Sequence, residues 1–197
     1  MVSPAKALDF ESPLPTSKHS QPILIDRSEE LVGLMAEKSP DQLSKMMSIS
    51  ASLADLNHER FQDWTTPFTP DNARPAVLAF DGDTYTGLDA ACSFSERDYT
   101  HSQKVLRILS GLHGVLRPLD LIQPYRLEMG SKLTHDNGGD LYSYWGDEVT
   151  DQLNAALAES PGAKVLVNLA SNEYFSVVQP ERFDGRIITP RFLDAKG

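Results

Sequence analysis

The residues best equipped for chemistry crowd into one stretch. It runs Leu109-Ser110-Gly111-Leu112-His113-Gly114-Val115-Leu116-Arg117-Pro118-Leu119-Asp120 and resumes at Gln123-Pro124-Tyr125-Arg126-Leu127-Glu128-Met129-Gly130. A helix, a glycine-bracketed bend at Gly111 to Gly114 and a second element can turn backbone N–H groups toward a phosphate, as a helix-hairpin-helix element does. A tight turn between a helix and a strand explains the same glycines. These two glycines are three apart where the usual hairpin has them two apart, and Pro118 falls in the first turns of any second helix. Five cations lie in or near this stretch, Lys104, Arg107, Arg117, Arg126 and Lys132, against Asp120 and Glu128. Arginine grips phosphate or carboxylate with a bidentate fork, and lysine acts as a point charge. Arg126 and Glu128 are two apart, so on a strand they share a face and could instead neutralise each other.

A second constellation is Asn168-Leu169-Ala170-Ser171-Asn172-Glu173-Tyr174, where an apolar strand gives way to a helix start. Ligands of open α/β sheets sit outside the carboxyl ends of strands, and helix starts favour anions. Ser171 or Asn172 also fits as a plain helix cap, with Glu173 complementing the dipole. If Lys6, Arg126, Glu128, Asn168, Ser171 and Glu173 converge on one pocket, a glutamate there is a general acid or base for a nucleotide or other phosphorylated small molecule. Tyr142, Tyr144 and Trp145 could stack on bases or fill a core.

The five histidines, His19, His58, His101, His113 and His135, show no i, i+4 pair, so no metal site is expected. Neither a Gly-rich phosphate loop nor a dinucleotide fingerprint occurs, and no cofactor is expected. Cys92 is the single cysteine, a candidate redox thiol that allows no internal disulfide and suits a reducing compartment. Met1 to Lys6 is not a signal peptide and no apolar run is long enough for a bilayer, so a cytoplasmic chain without a membrane partner is expected. The formal net charge is −10, from 18 basic and 28 acidic residues, which opposes phosphate backbones except at a local basic patch.

These residues must be held by a mixture of helices and strands. The Pro- and Ser-rich first 25 residues read as extended. Helices are predicted over 27–37 with Asp26 as cap, from Ser39-Pro40-Asp41-Gln42 with a capping box, and from Ser50 to Trp64 with Leu53, Leu56, Phe61 and Trp64 on one face. Ala76 to Phe80 reads as a strand, Ser95 to Leu109 and Asp140 to Glu159 as helices, and Lys164 to Leu169 and Arg186 to Leu193 as strands. At 197 residues without repeats or linkers, one domain of α+β or mixed α/β class is expected. The chain stops at Gly197 directly after a predicted strand, which predicts truncation at the C-terminus.

Several segments together resemble the YaaA peroxide-stress family. They are Ser3-Pro4-Ala5-Lys6 with Leu8-Asp9, Phe80-Asp81-Gly82-Asp83 with Tyr85-Thr86-Gly87-Leu88, and the stretch from Leu109 to Gly130. Leu141-Tyr142 with Trp145-Gly146 and Asn168 to Ser171 with Glu173-Tyr174-Phe175 complete the set. The resemblance implies an unusual compact fold and a cytosolic protein that limits hydroperoxide damage. It further implies a link to DNA repair and binding of double-stranded or structured DNA through a basic cleft and a helix-hairpin-helix, placed here around Gly111 to Gly114. No catalytic activity is general to the family. Members usually carry a hydrophobic strand before Ser-Pro-Ala-Lys and a Lys/Arg-rich helix beyond this chain's last residue.

Overall fold

Short polar signals set the first half of the chain. The computed structural model describes residues 1–136, 138–160 and 162–192. Strand β1 (Ala7–Leu8) interrupts an otherwise irregular opening, which leads into α1 (Ile25–Ala36). Asp26 does not cap this helix. It sits inside the first turn, where its charge favours the positive helix end, and Leu24 precedes the helix without a side-chain cap. Helix α2 (Pro40–Met47) starts at the expected capping box, with the Ser39 hydroxyl and the Gln42 side chain each accepting the other's backbone N–H. Helix α3 (Ala51–Asp63) is capped by Ser50. Its buried face is Ala54, Asn57 and Phe61, whereas Leu53 and Leu56 are exposed, so the predicted apolar face is rotated.

After β2 (Arg74–Pro75), Ala76 to Ala79 forms the helical turn α4 rather than a strand, and Phe80–Asp81 alone forms β3. Ala76 and Val77 donate sideways to the carbonyls of Asp120 and Pro118, which satisfies their amides without a ladder. Helices α5 (Asp83–Leu88), α6 (Ala90–Ser93) and α7 (Glu96–Val105) follow, the last with a Ser95–Asp98 capping box. Helix α7 stops short of its predicted end, because Ile108 and Leu109 enter β4 (Ile108–Ser110), which pairs with β5 (Gly114–Leu116). Strand β6 (Leu121–Ile122) pairs with β2.

The predicted 140–159 helix is two, α8 (Leu141–Trp145) and α9 (Glu148–Glu159), broken at Gly146, whose φ of +47° suits glycine. Strand β7 (Val165–Val167), the single turn α10 (Asn172–Phe175), a 3₁₀ turn at Pro180–Arg182 and β8 (Arg186–Ile188) finish the described chain. The predicted last strand ends before Pro190, and Leu193 lies outside the described residues.

Each ladder has two strands: β1–β3, β2–β6 and β4–β5 are antiparallel, and β7–β8 is parallel. Met1 and Val2 join two of them. The Met1 amino group donates to Val167 O at 2.7 Å, Leu169 N donates back to Met1 O, and Val2 bonds to Arg107 and Leu109. The hydrogen-bonded order is therefore β5, β4, Met1–Val2, β7, β8. The main apolar core packs against this assembly, with Trp145, Tyr99, Leu31, Leu112 and Leu116 fully enclosed, and a smaller cluster of Phe68, Ala73 and Leu121 packs with Ile25 and Trp64. Among the described residues no helix is long and apolar enough to cross a membrane.

Candidate functional site

The glycine bend is an inside corner of the fold. Gly111 to Gly114 connects two strands, β4 and β5, not two helices, and all four residues are buried. The Trp145 indole donates to Gly111 O at 3.0 Å. A Cβ at Gly111 would meet Leu127 O at 2.2 Å, and Gly114 adopts φ +65° against the Trp145 ring. Both glycines are required by close packing, so the helix-hairpin-helix expected at this bend is corrected to a buried β-hairpin that offers no amide to solvent.

His113 is the fully buried tip of that corner. Its Nδ1 lies 2.9 Å from Ser28 Oγ, and its ring packs edge-on against Phe68 and Tyr125. Burial lowers its pKa to about 3, so only the neutral imidazole fits. The unfolded chain binds this proton near pH 6.5, and stability is therefore complete above pH 6.5 and lost as pH falls toward 3. Between pH 7 and pH 5 the loss from this group is about 2 kcal/mol. Urea unfolding at both pH values should show that difference shrinking by about this amount in His113→Gln. An undiminished pH dependence would remove His113 as its source.

The predicted cations divide by their partners. Arg117 donates through Nε and Nη2 to Asp120 Oδ1 at 3.0 and 2.8 Å, and its backbone N–H adds a bond to Oδ2. Ser20 Oγ donates to the same carboxylate at 2.6 Å. Burial pushes the Asp120 carboxyl up, and the bonds from Arg117 and Ser20 pull it back. Arg107 turns onto the end of α7, donating to the carbonyls of Gln103 and Leu106. Cations suit that negative helix end. Arg126 pairs with Glu128 at 2.9 Å, the alternative its spacing left open. Lys104 and Lys132 are exposed. The five therefore do not form the single outward cradle around Gly111 to Gly114 that the sequence suggested.

Three of the six residues assigned to a polar pocket, Lys6, Arg126 and Glu128, line one cleft. Lys6 reaches Glu128 at 3.1 Å, beside the Arg126–Glu128 pair. Ser171 and Glu173 do not line the cleft: Ser171 N–H donates to Ser3 Oγ at 2.9 Å, and Glu173 accepts from Gly130 N–H at 2.9 Å. Ser171 also caps α10. Asn168 stands apart: it is buried, its side chain accepting from Ala170 N and donating to Thr189. Tyr174 lines the same cleft, and burial with Tyr125, Glu173 and Glu128 around it pushes its phenol up. It remains a hydrogen-bond donor at neutral pH.

Tyr144 and Trp145 belong to the core, and the Tyr142 hydroxyl donates to Glu173 O. Among the described residues no group of three or more His, Cys, Asp or Glu could hold a metal ion.

A different basic surface lies on α2. Lys38, Lys45 and Lys132 line an open groove of about 550 Å³ with Gln42, Met46 and Thr134. Among the described residues none of the three lysines forms an ion pair. At the end of α2 the chain reverses through Ser48-Ile49-Ser50 into α3. Ser48 is left-handed at φ 53°, Ile49 is buried, and Ser44 Oγ donates to Ile49 O at 2.7 Å, which fixes the turn. Ala51 and Ser52, exposed in the first turn of α3, carry amides with no carbonyl one turn back to accept them.

The sequence did show both capped helices. It hid the turn, since serine fills the position where glycine was sought. It also hid the groove, because Lys38 and Lys132 are distant in the chain. In comparison with known families, a family model described as peroxide stress protein YaaA matches residues 1–197.

Proposed function

Because the chain belongs to the family of peroxide stress protein YaaA, we propose that it serves in that stress response by binding duplex DNA without sequence preference, through the phosphate backbone. The contact surface is the groove of Lys38, Lys45 and Lys132 together with the Ser48–Ser50 turn and the first turn of α3. One observation carries this reading: three lysines without carboxylate partners among the described residues surround one open groove on a chain of net charge −10. Arg117 and Arg126, by contrast, are neutralised by carboxylates, so the groove offers a polyanion three cations gathered on one open surface.

The α2–turn–α3 unit supplies the orientation. In this reading it is a helix-hairpin-helix in which Ser48 takes the left-handed position. The free amides of Ala51 and Ser52 meet one phosphate at the positive end of a 13-residue helix. Lysines along α2 then engage neighbouring phosphates. Such contacts position the protein without reading bases, and the work they imply lies in the cytoplasm where the DNA is.

Ala51→Pro tests this geometry. Ala51 is the first residue of α3, where proline is tolerated, and Ser50 at ψ 157° already has the backbone that a following proline requires. The substitution removes one amide hydrogen and leaves the helix. Thermal stability should stay within about 0.5 kcal/mol of the parent while duplex affinity falls roughly fivefold. Unchanged affinity in a folded Ala51→Pro protein would reject the amide contact.

A further inference from the structure

The second polar surface lies apart from the lysine groove and is built differently. Pro4, Ala5 and Lys6 form one wall of a narrow cleft, Tyr125 to Glu128 the other, and Tyr174 of α10 closes one side. Glu128 serves two cations at once, with Oε1 on Arg126 Nη2 at 2.9 Å and Oε2 on Lys6 Nζ at 3.1 Å. Arg126 Nε, shut off from solvent, has no acceptor among the described residues. Buried guanidinium N–H groups are almost always paired, and leaving one unpaired is costly. Glu173, the other carboxylate near the cleft, is held by the Gly130 amide.

The space left in the cleft is about 20 Å³, room for little more than one water. Lys6, which lines it, has a side chain 67% exposed while that of its partner Glu128 is only 22% exposed. An ion pair with one partner so exposed contributes little, so Lys6 can swing outward at small cost. Opening it would expose a fixed arginine fork with a free Nε, a mobile lysine and the Tyr174 hydroxyl, all donors. Glu128 stays behind Arg126 and fixes the plane of its guanidinium.

We propose that this cleft is a binding site for the oxyanion group of a small molecule, a phosphate monoester or a carboxylate. The oxyanion accepts from Arg126 Nε and draws Lys6 off Glu128 to cover it. Two coplanar acceptor oxygens match the arginine fork, and the lysine supplies a movable countercharge. The site is independent of duplex binding, since neither Lys6 nor Arg126 lines the lysine groove.

The test reads the unpaired group itself. Protein isotope-labelled at arginine is titrated with inorganic phosphate, adenosine monophosphate and succinate, and the Arg126 Nε–H resonance is followed by NMR. That signal is recognised by its loss in Arg126→Lys or, if that variant does not fold, by through-bond connection to the Arg126 backbone. A saturable shift with the two phosphates supports the proposal and assigns a phosphate ligand. A saturable shift with succinate supports it and assigns a carboxylate. Lys6→Gln, at an exposed position that leaves the fold intact, should weaken either response about tenfold and leave duplex affinity unchanged. No saturable shift with any probe up to ~10 mM, or an equal response in Lys6→Gln, overturns the proposal.

Discussion

Replacing Lys38, Lys45 and Lys132 together by glutamine is expected to reduce duplex affinity by on the order of 10²- to 10³-fold near 0.1 M salt. Each lysine that neutralises a phosphate releases condensed counterions, and the logarithm of the binding constant falls with the logarithm of salt by about 0.9 per contact. At ~0.1 M one contact is therefore worth roughly eightfold, and three multiply. The fold should survive, because Lys45 and Lys132 are exposed, Lys38 is half-buried, and none has an ion pair to lose among the described residues. A matched triple of Lys104, Arg107 and Arg117 should behave in the opposite way. Arg107 closes the end of α7 and Arg117 holds buried Asp120, so that variant loses stability more than affinity. Fluorescence anisotropy with a labelled duplex, alongside urea unfolding, separates the two outcomes. If the glutamine triple binds as the parent does while the other triple loses binding without losing stability, the contact surface lies on the wrong face.

Gly111→Ala is expected to cost more stability than any surface change, about 3 kcal/mol or more, and to lower the melting temperature by roughly 10 °C. The added methyl would stand 2.2 Å from Leu127 O and 2.9 Å from Leu127 C, both backbone atoms that no side-chain rotation can move. Relief requires shifting β4 or the Leu127–Glu128 segment, and that shift pulls Gly111 O away from the Trp145 indole. Gly33→Ala is the internal control. Gly33 lies within α1 with nothing within 4 Å of its would-be methyl, so alanine there should stabilise by about 0.5–1 kcal/mol through helix propensity. Denaturant midpoints of the two variants should move in opposite directions. Equal stability of Gly111→Ala and the parent would mean the corner is looser than its distances imply.

Local signals in the sequence were accurate where a short motif carries its own hydrogen bonds. The Ser39–Gln42 capping box, Pro40 at the first helical position and the Ser50 and Ser95 caps all lie where side chain and backbone satisfy each other within four residues. Signals failed where tertiary pairing decides. Ile108 and Leu109 suit a helix by composition, yet Val2, brought from the N-terminus, offers them a ladder and pulls them into β4. Ala76 to Ala79 has strand-like hydrophobicity, but its amides are taken by carbonyls at Pro118 and Asp120, and a helical turn results.

Charge shows the same division. Arg126 and Glu128 are two apart, so their pairing is legible as one of two readings; Lys6 joins them in one cleft, whereas Ser171 and Glu173, grouped with them by sequence, bond to Ser3 and Gly130. The lysine groove was not legible. Lys132 was named for its place near the glycine bend, and only the packing of residues 130–134 beside α2 sets it with Lys38 and Lys45. Glycine spacing misled because the tight reversal in this chain is made by Ser48, which accepts a left-handed φ of 53° while its helix end is held by Ser44 and Ile49.

Salt titration of duplex binding by the unaltered protein measures the groove most directly. Three phosphate contacts give a slope of about −3 in the logarithm of affinity against the logarithm of salt, or some 40-fold weaker binding between 50 and 200 mM. The glutamine triple should flatten that slope to near zero. An unaltered protein whose affinity does not change over this range, or a triple that keeps the full slope, would contradict phosphate binding at Lys38, Lys45 and Lys132.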